Sequence, residues 1–418
     1  MSYELRPRTK EGESFIEATE SVIKILRDRA DNADKKSIVN VHNLTDMLSS
    51  GIIGAFIPKI FGGFGLTSIH DWMVGISRLG QGDGSVALMV NMHLAVSRGM
   101  METWNASKKS TNKKLTKKLE LQFEQIISGN MFLCATATEI GTDNLHPFTE
   151  ATRVQDGWII NGKKIFVTGS PIASHVAMNL LIRNKKETTP NNEEDVIGAV
   201  ILPLETKGVI TQDDWQAMGM RGSGSQSIFF ENVFIPKDIV RPIGQWGKWS
   251  SGLLMNRNLA NLPLLGAFLG IAEHAYELAL VAAKEKPKSI RPSNMELPGI
   301  QHIIGEMEIS ISTTRAMVGQ MGQITDDFLK KYKNQKIPIE QAHELLKDHQ
   351  SMKWVVNRNA IDIVNKALDV VGGSGYLDKN TISRLYRDVR AGPFMQPYAP
   401  SEAREYIGKV VLGIYPEN

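Results

Sequence analysis

The sequence predicts a mainly α-helical chain with a central β domain, and three observations carry that prediction. Apolar residues recur at helical spacing through the first 130 residues, the period shortens to two from about Met131, and long helical stripes return after about Ile243. At 418 residues the chain is too long for one core, so the changes of period are read as domain boundaries. The expected parts are a helical domain over 1–130, a β barrel or sandwich over 131–240 and a helical bundle over 241–418.

Each part has its own signals. Phe15, Ala18, Val22 and Ile25 fall three and four apart, on one face of a first helix. The glycines of IPKIFGGFGL (57–66) make that segment a loop, and the nearly unbroken apolar run from Asp83 to Val96 predicts a helix buried on most sides. In VQDGWIINGKKIFVT (154–168), Asp156-Gly157 and Asn161-Gly162 are both tight hairpin signals, because such pairs tolerate positive φ. Strands follow at 176–182 and 196–202, with an exposed polar loop between them, and SIFFENVFIP (227–236) closes the β region. Ile300, Ile304, Met307, Ile311 and Val318 mark one long helix, and Leu345, Met352, Val356 and Ile363 another. Long helices with short connections suggest an antiparallel four-helix bundle.

Composition narrows the function. Hydrophobic residues at 42% and charged residues at 22% are the balance of a soluble globular protein, and a net charge of +3 gives no reason to expect nucleic acid. No run of eighteen apolar residues appears, so no membrane span is expected. The N-terminus reads as neither a secretory signal nor a transit peptide. The single cysteine, Cys134, allows no internal disulfide, and a cytoplasmic location is expected. Nine scattered histidines show no metal-ligand spacing, so no metal is expected. Lys108, Lys109, Lys113, Lys114, Lys117 and Lys118 read as a solvated face rather than a docking patch for an acidic partner. Neither a strand-linked GxGxxG nor a Walker A loop occurs, and Gly222-Ser223-Gly224 reads as a turn.

Three segments go further. ATATEIGTD (135–143), NGKKIFVTG (161–169) and ALDVVGGSGYLDKNTISRLYRD (367–388) resemble, in order, the two flavin-side strands and the C-terminal glycine turn of the acyl-CoA dehydrogenase family. IPKIFGGFGL and AMGMRGSGSQSIFFENVFIP (217–236) resemble two further signatures, so the likeness spans nearly the whole chain. It implies that family's helical domain, middle β barrel and C-terminal four-helix bundle. It also implies FAD, or FMN, as cofactor. The flavin contacts would be Thr136, Thr138, Phe166, Thr168 and Arg291, with Gly372, Gly373 and Gly375 letting backbone approach the cofactor's phosphates. Thr142 and Arg257 fall on the substrate side. The implied partners are a small-molecule substrate such as an acyl-CoA, an electron-transfer flavoprotein or flavin reductase, and further copies of the chain in a homotetramer or homodimer.

The resemblance breaks where the family keeps its base. Dehydrogenation of an acyl thioester needs a carboxylate near the α-carbon, but the matching position is Gln396, and the alternative position within GLLMNR (252–257) is Asn256. Glu402 is the nearest acid downstream. Asp369 stands where the family has glutamine, and Arg291 lacks the Phe-Gly that follows it in the family's R-x-x-F-G element. RDVRAGPFMQP (387–397) has the length and terminal proline of the family's two-component flavin monooxygenase branch, and His93 resembles a flavin-facing histidine there. The leading reading is a flavin-dependent oxidoreductase that moves hydride from an acyl thioester to flavin N5. The alternatives are a two-component reduced-flavin monooxygenase and a flavin- or acyl-binding protein without turnover.

Overall fold

Five helices open the chain in the computed structural model, which describes residues 3–183, 195–285 and 294–416: α1 (Lys10–Lys36), α2 (His42–Ser49), α3 (Ile69–Gly82), α4 (Gly84–Lys109) and α5 (Lys113–Ile127). α1 begins where the Thr9 hydroxyl accepts the Gly12 N–H at 2.9 Å. Its buried stripe is Phe15, Thr19, Val22, Leu26 and Ala30, whereas Ile25 is 37% exposed, so the expected face is rotated by one position. The reason is α3 beneath it. A side chain at Gly75 would strike the Phe15 ring, so the Phe15 ring, and not Ile25, seats the helix. α4 carries the apolar run of the sequence and is buried from Gly84 to Asn91, with Asp83 capping it through the Ser85 N–H at 2.8 Å.

Eight strands follow: β1 (Leu133–Thr136), β2 (Glu150–Arg153), β3 (Gly157–Val167), β4 (His175–Ile182), β5 (Val196–Pro203), β6 (Val209–Thr211), β7 (Gln226–Pro236) and β8 (Arg241–Gln245). They form one mixed sheet in the order β6-β7-β3-β2-β4-β5-β8, with β1 added parallel to β4. Cys134, Ile160, Val176, Leu202 and Ile228 belong to its core. The hairpin expected at Asp156-Gly157 is present, with the Val154 N–H donating to the Gly157 carbonyl. The one expected at Asn161-Gly162 is not. That pair lies inside β3, at a bulge against β7, and Gly162 is needed because a Cβ there would lie 2.6 Å from the Thr149 Cα. Nor does the β region close at Pro236. β8 follows it as an edge strand, paired among the described residues only to β5, where Pro242 is tolerated and leaves no alternating pattern to read.

The remaining helices are α6 (Ser251–Asn261), α7 (Leu264–Lys284), α8 (Pro298–Lys331), α9 (Ile339–Val371), α10 (Thr381–Asp388) and α11 (Pro400–Val411). α9 packs against α7, α8, α10 and α11. α3 crosses α7 in backbone contact, since Cβ atoms at Gly266 and Gly270 would lie 2.2 and 2.1 Å from the Met73 and Ser77 carbonyls. The N- and C-terminal helices therefore share one apolar core, separate from that of the sheet. Ser251–Lys284 has the length and apolarity of a membrane span, but its most apolar window is 72% buried inside this core.

Candidate active site

A cavity of about 720 Å³ opens between the sheet, α4 and α6. One wall comes from the ends of β1 and β3. Thr136 donates its hydroxyl to the Ile165 carbonyl at 2.9 Å and accepts the Thr138 N–H at 3.2 Å, which fixes the turn out of β1. Phe166 interrupts β3 with φ +56, and the β3–β7 register shifts between Lys164 and Val167. A phenylalanine in the left-handed region is strained. The strain turns the ring off the sheet so that it is 56% exposed, lines the cavity, and meets Trp215 edge-on at 6.0 Å. Thr168 stands beside it, its hydroxyl 2.9 Å from that of Ser225, which in turn lies 2.8 Å from the Ser223 hydroxyl. The expected Gly222-Ser223-Gly224 turn is present and serves to place Ser225.

Gln396 faces this wall. Its amide nitrogen donates to the Thr138 hydroxyl at 3.2 Å, and its carbonyl accepts from Asn144 at 2.6 Å and from Arg257 at 3.4 Å. Loss of water lowers the Arg257 guanidinium to about 10, so it still carries its charge at neutral pH. Behind these groups, Asn179 donates to the Asn144 carbonyl at 3.3 Å and accepts from Lys164 at 3.3 Å. Lys164 also forms a fully buried ion pair with Glu139, and Glu139 gathers the Phe148 and Thr149 N–H groups at 2.7 and 3.1 Å. The loop from 139 to 149 is thus tied to β3, and through Asn144 to Gln396. A neutral amide fixed on three sides can orient a polar ligand, but it cannot take up a proton.

Away from this wall the cavity runs between α4, α5 and β5, past Gly99, Met100, Leu119 and Ile201, to Lys118 and Arg241 at its edge. Lys118, expected on a solvated face, is exposed and also lines the cavity. Lys114 pairs with Asp238 at 2.5 Å beside it.

The structure brings Thr136, Thr138, Phe166, Thr168, Asn256, Arg257 and Gln396 to this one cavity. Other expected site residues are elsewhere. His93 is buried behind the wall with both ring nitrogens engaged, to the Ile53 carbonyl at 2.9 Å and the Leu133 N–H at 3.1 Å. Burial lowers it to about 4, so it is a neutral structural link rather than a group facing the cavity. Glu402 is exposed and accepts the Ala399 N–H at 2.9 Å as the cap of α11, away from the lining. Thr142 closes its own turn, donating to the His146 carbonyl at 2.5 Å. Gly372, Gly373 and Gly375 belong to a 3₁₀ turn, with Gly373 exposed and Gly375 buried, that does not line this chain's cavity. Arg291 lies outside the described residues. Asn144, Asn179, Trp215 and Ser225 were not legible as site residues. They sit singly in loops and strands without a periodic pattern, and only the fold brings them together.

The site thus sets an aromatic wall and convergent hydroxyls around a cavity large enough for a planar cofactor and a small substrate. The profiles of the acyl-CoA dehydrogenase middle and C-terminal domains match residues 133–233 and 258–396, together more than half of the sequence. The chain belongs to the acyl-CoA dehydrogenase family of flavoenzymes. Among relatives, the amino sugar nitrososynthase DnmZ of Streptomyces peucetius is 28% identical over 97% of this chain and 95% of its own length. The putative acyl-CoA dehydrogenase YdbM of Bacillus subtilis is 26% identical over 86% of each. The structure of KijD3 in complex with FMN and dTDP-3-amino-2,3,6-trideoxy-4-keto-3-methyl-D-glucose superposes with a TM-score of 0.87 at 23% identity, covering 100% of this chain and 97% of the other. That likeness is one of fold.

Proposed function

We propose that this family member is a reduced-flavin monooxygenase that oxidises the amino nitrogen of a nucleotide-linked amino sugar. The observation that carries the reading is the hydrogen-bonded amide of Gln396 at the place of the family's carboxylate, with a second amide, Asn256, at the alternative place. The end-to-end match to an amino sugar nitrososynthase supports it. Bound FMN or FAD, reduced by a separate flavin reductase, would supply two electrons so that one atom of O₂ passes to nitrogen and the other leaves as water. Phe166 and Trp215 would wall the ring, with Thr136, Thr138 and Thr168 hydrogen-bonding its edge. Gln396 and Arg257 would orient the sugar, and the basic edge at Lys118 and Arg241 suits phosphate oxygens. Gly372, Gly373 and Gly375 would serve the site of a neighbouring subunit, making the chain an obligate homo-oligomer.

One test separates this reading from acyl-thioester dehydrogenation, which the family match and the apolar reach of the cavity favour as the second reading. With a flavin reductase and O₂, the protein should convert a dTDP-3-amino sugar to an N-oxidised product that the reductase and flavin alone do not form. It should not bleach its flavin anaerobically with an acyl-CoA. Rapid bleaching by the natural protein would overturn the proposal. Gln396→Glu should introduce a base worth about 10²–10⁴-fold in acyl-CoA-dependent bleaching if only the carboxylate is missing.

A further inference from the structure

Lys353 lies on α9, one of the helices behind the site, and only 4% of it is exposed. Among the described residues no carboxylate lies within ion-pair distance. The nearest acid acting on it is Glu402 on α11, whose side chain is turned to the Ala399 N–H. His349 on α9 itself is held neutral by burial and by this same ammonium. The Lys353 ammonium instead donates to two backbone carbonyls, those of Met395 and of Tyr398, the latter at 2.6 Å. These two residues flank Gln396-Pro397. A buried ammonium without an ion-pair partner is costly, and an apolar side chain would pack against α11 without that cost. Burial lowers it only to about 8, so it stays largely charged at neutral pH, where its donors bind the carbonyls most strongly.

We propose that Lys353 is a positioning residue: clamped across the Met395 and Tyr398 carbonyls, it sets where the Gln396 amide stands in the cavity. The role rests on the reading in which Gln396 contacts the substrate. Gln396 is held from the front by Thr138, Asn144 and Arg257, which come from the β1–β2 loop and α6, and the clamp holds its backbone from behind through α9. Lys353 therefore joins the helical bundle to the polar side of the site without touching the ligand.

Lys353→Met keeps the length of the side chain and removes its donors, and Lys353→Arg keeps the charge. In flavin-loaded protein, the Met variant should show faster hydrogen–deuterium exchange confined to 394–399. It should bind a dTDP-3-amino sugar about tenfold more weakly, with flavin affinity unchanged and recovery in the Arg variant. Should the Met variant not fold, Lys353→Gln is read in the same way. Native exchange across 394–399 in the variant that lacks the clamp overturns the proposal. So does faster exchange spread evenly over α9 and α11, which marks a packing role alone. If the natural protein binds no amino sugar, the proposed function fails, while the exchange measurement still decides the clamp.

Discussion

Thr168 shows how much one hydroxyl can matter here. It is buried, it shares a hydrogen bond with Ser225, and it lines the cavity beside the strained Phe166. Thr168→Val keeps the volume and removes the donor, while Ser225 retains Ser223 as a partner. The fold should survive. Flavin binding or its reduction should weaken by about 2–4 kcal/mol, the range for deletion of a donor to developing charge. Flavin titration and stopped-flow reduction of the variant check this, and wild-type values in both would remove Thr168 from the cofactor site. Thr168 and Phe166 were legible from the resemblance of their segment. The left-handed backbone that aims Phe166 was not, because period and composition carry no information about a single φ.

At the scale of elements, α4 is both a core helix and a cavity wall. Its inner face supplies the apolar run, and its far end presents Gly99, where a Cβ would meet nothing within 4 Å. This glycine is not needed by the backbone, since its position is helical and unobstructed. Gly99→Ala should therefore raise stability by about 0.5–1 kcal/mol through helix propensity. Gly99→Phe should fill the reach of the cavity towards Lys118 and Arg241, abolishing binding of a nucleotide-linked substrate and sparing flavin. Calorimetry and ligand titration measure the two effects separately. A Phe variant that binds the full substrate normally would show that the substrate enters by another route. The nearly unbroken apolar run of α4 was plain in the sequence, but a glycine that leaves space and one that prevents a clash, such as Gly162 in β3, read alike there.

The whole molecule joins its parts through buried polar residues, and this sets its response to pH. Burial lowers His93 to about 4 and His274 and His349 to about 3, against an ordinary value of 6.5. The unfolded chain therefore binds more protons than the folded one between pH 6.5 and about 4. The stability of holding these rings neutral is full above pH 6.5 and is lost as pH falls through that window, by a few kcal/mol per histidine on the order of 1.4 kcal/mol per pKa unit. Asp388 runs the other way. Burial raises it to about 6 and also raises Asp83 and Asp326, so their contribution is lost as pH rises from 3.8. His175 and His343, lowered by burial, add to the histidine side. Tm should fall steeply between pH 6.5 and 4, and His349→Gln should flatten the curve. A natural protein with a level Tm across that range would contradict the assignment. Assembly belongs to the same scale. Tyr376 and Leu377, beside the glycine turn, are 84% and 48% exposed, an apolar surface suited to a second copy. Light scattering should give two or four times 46.4 kDa, and a stable flavin-loaded monomer would overturn the shared site.

The sequence by itself determined the order of helical, β and helical parts, because apolar period follows from burial along each element. It also determined the family, because short segments along the chain keep their residues in order. Only the tertiary structure decided which of these residues meet. His93 proved to be a structural link, because its partners Ile53 and Leu133 are set by packing, whereas Glu402 caps α11 locally through the Ala399 N–H three residues before it. Lys118 lines the cavity because α5 packs on α4, and Trp215 does so because the chain between β6 and β7 folds back over Phe166. Periodicity records which face of an element is buried, whereas a site is built from contacts between elements far apart in the chain.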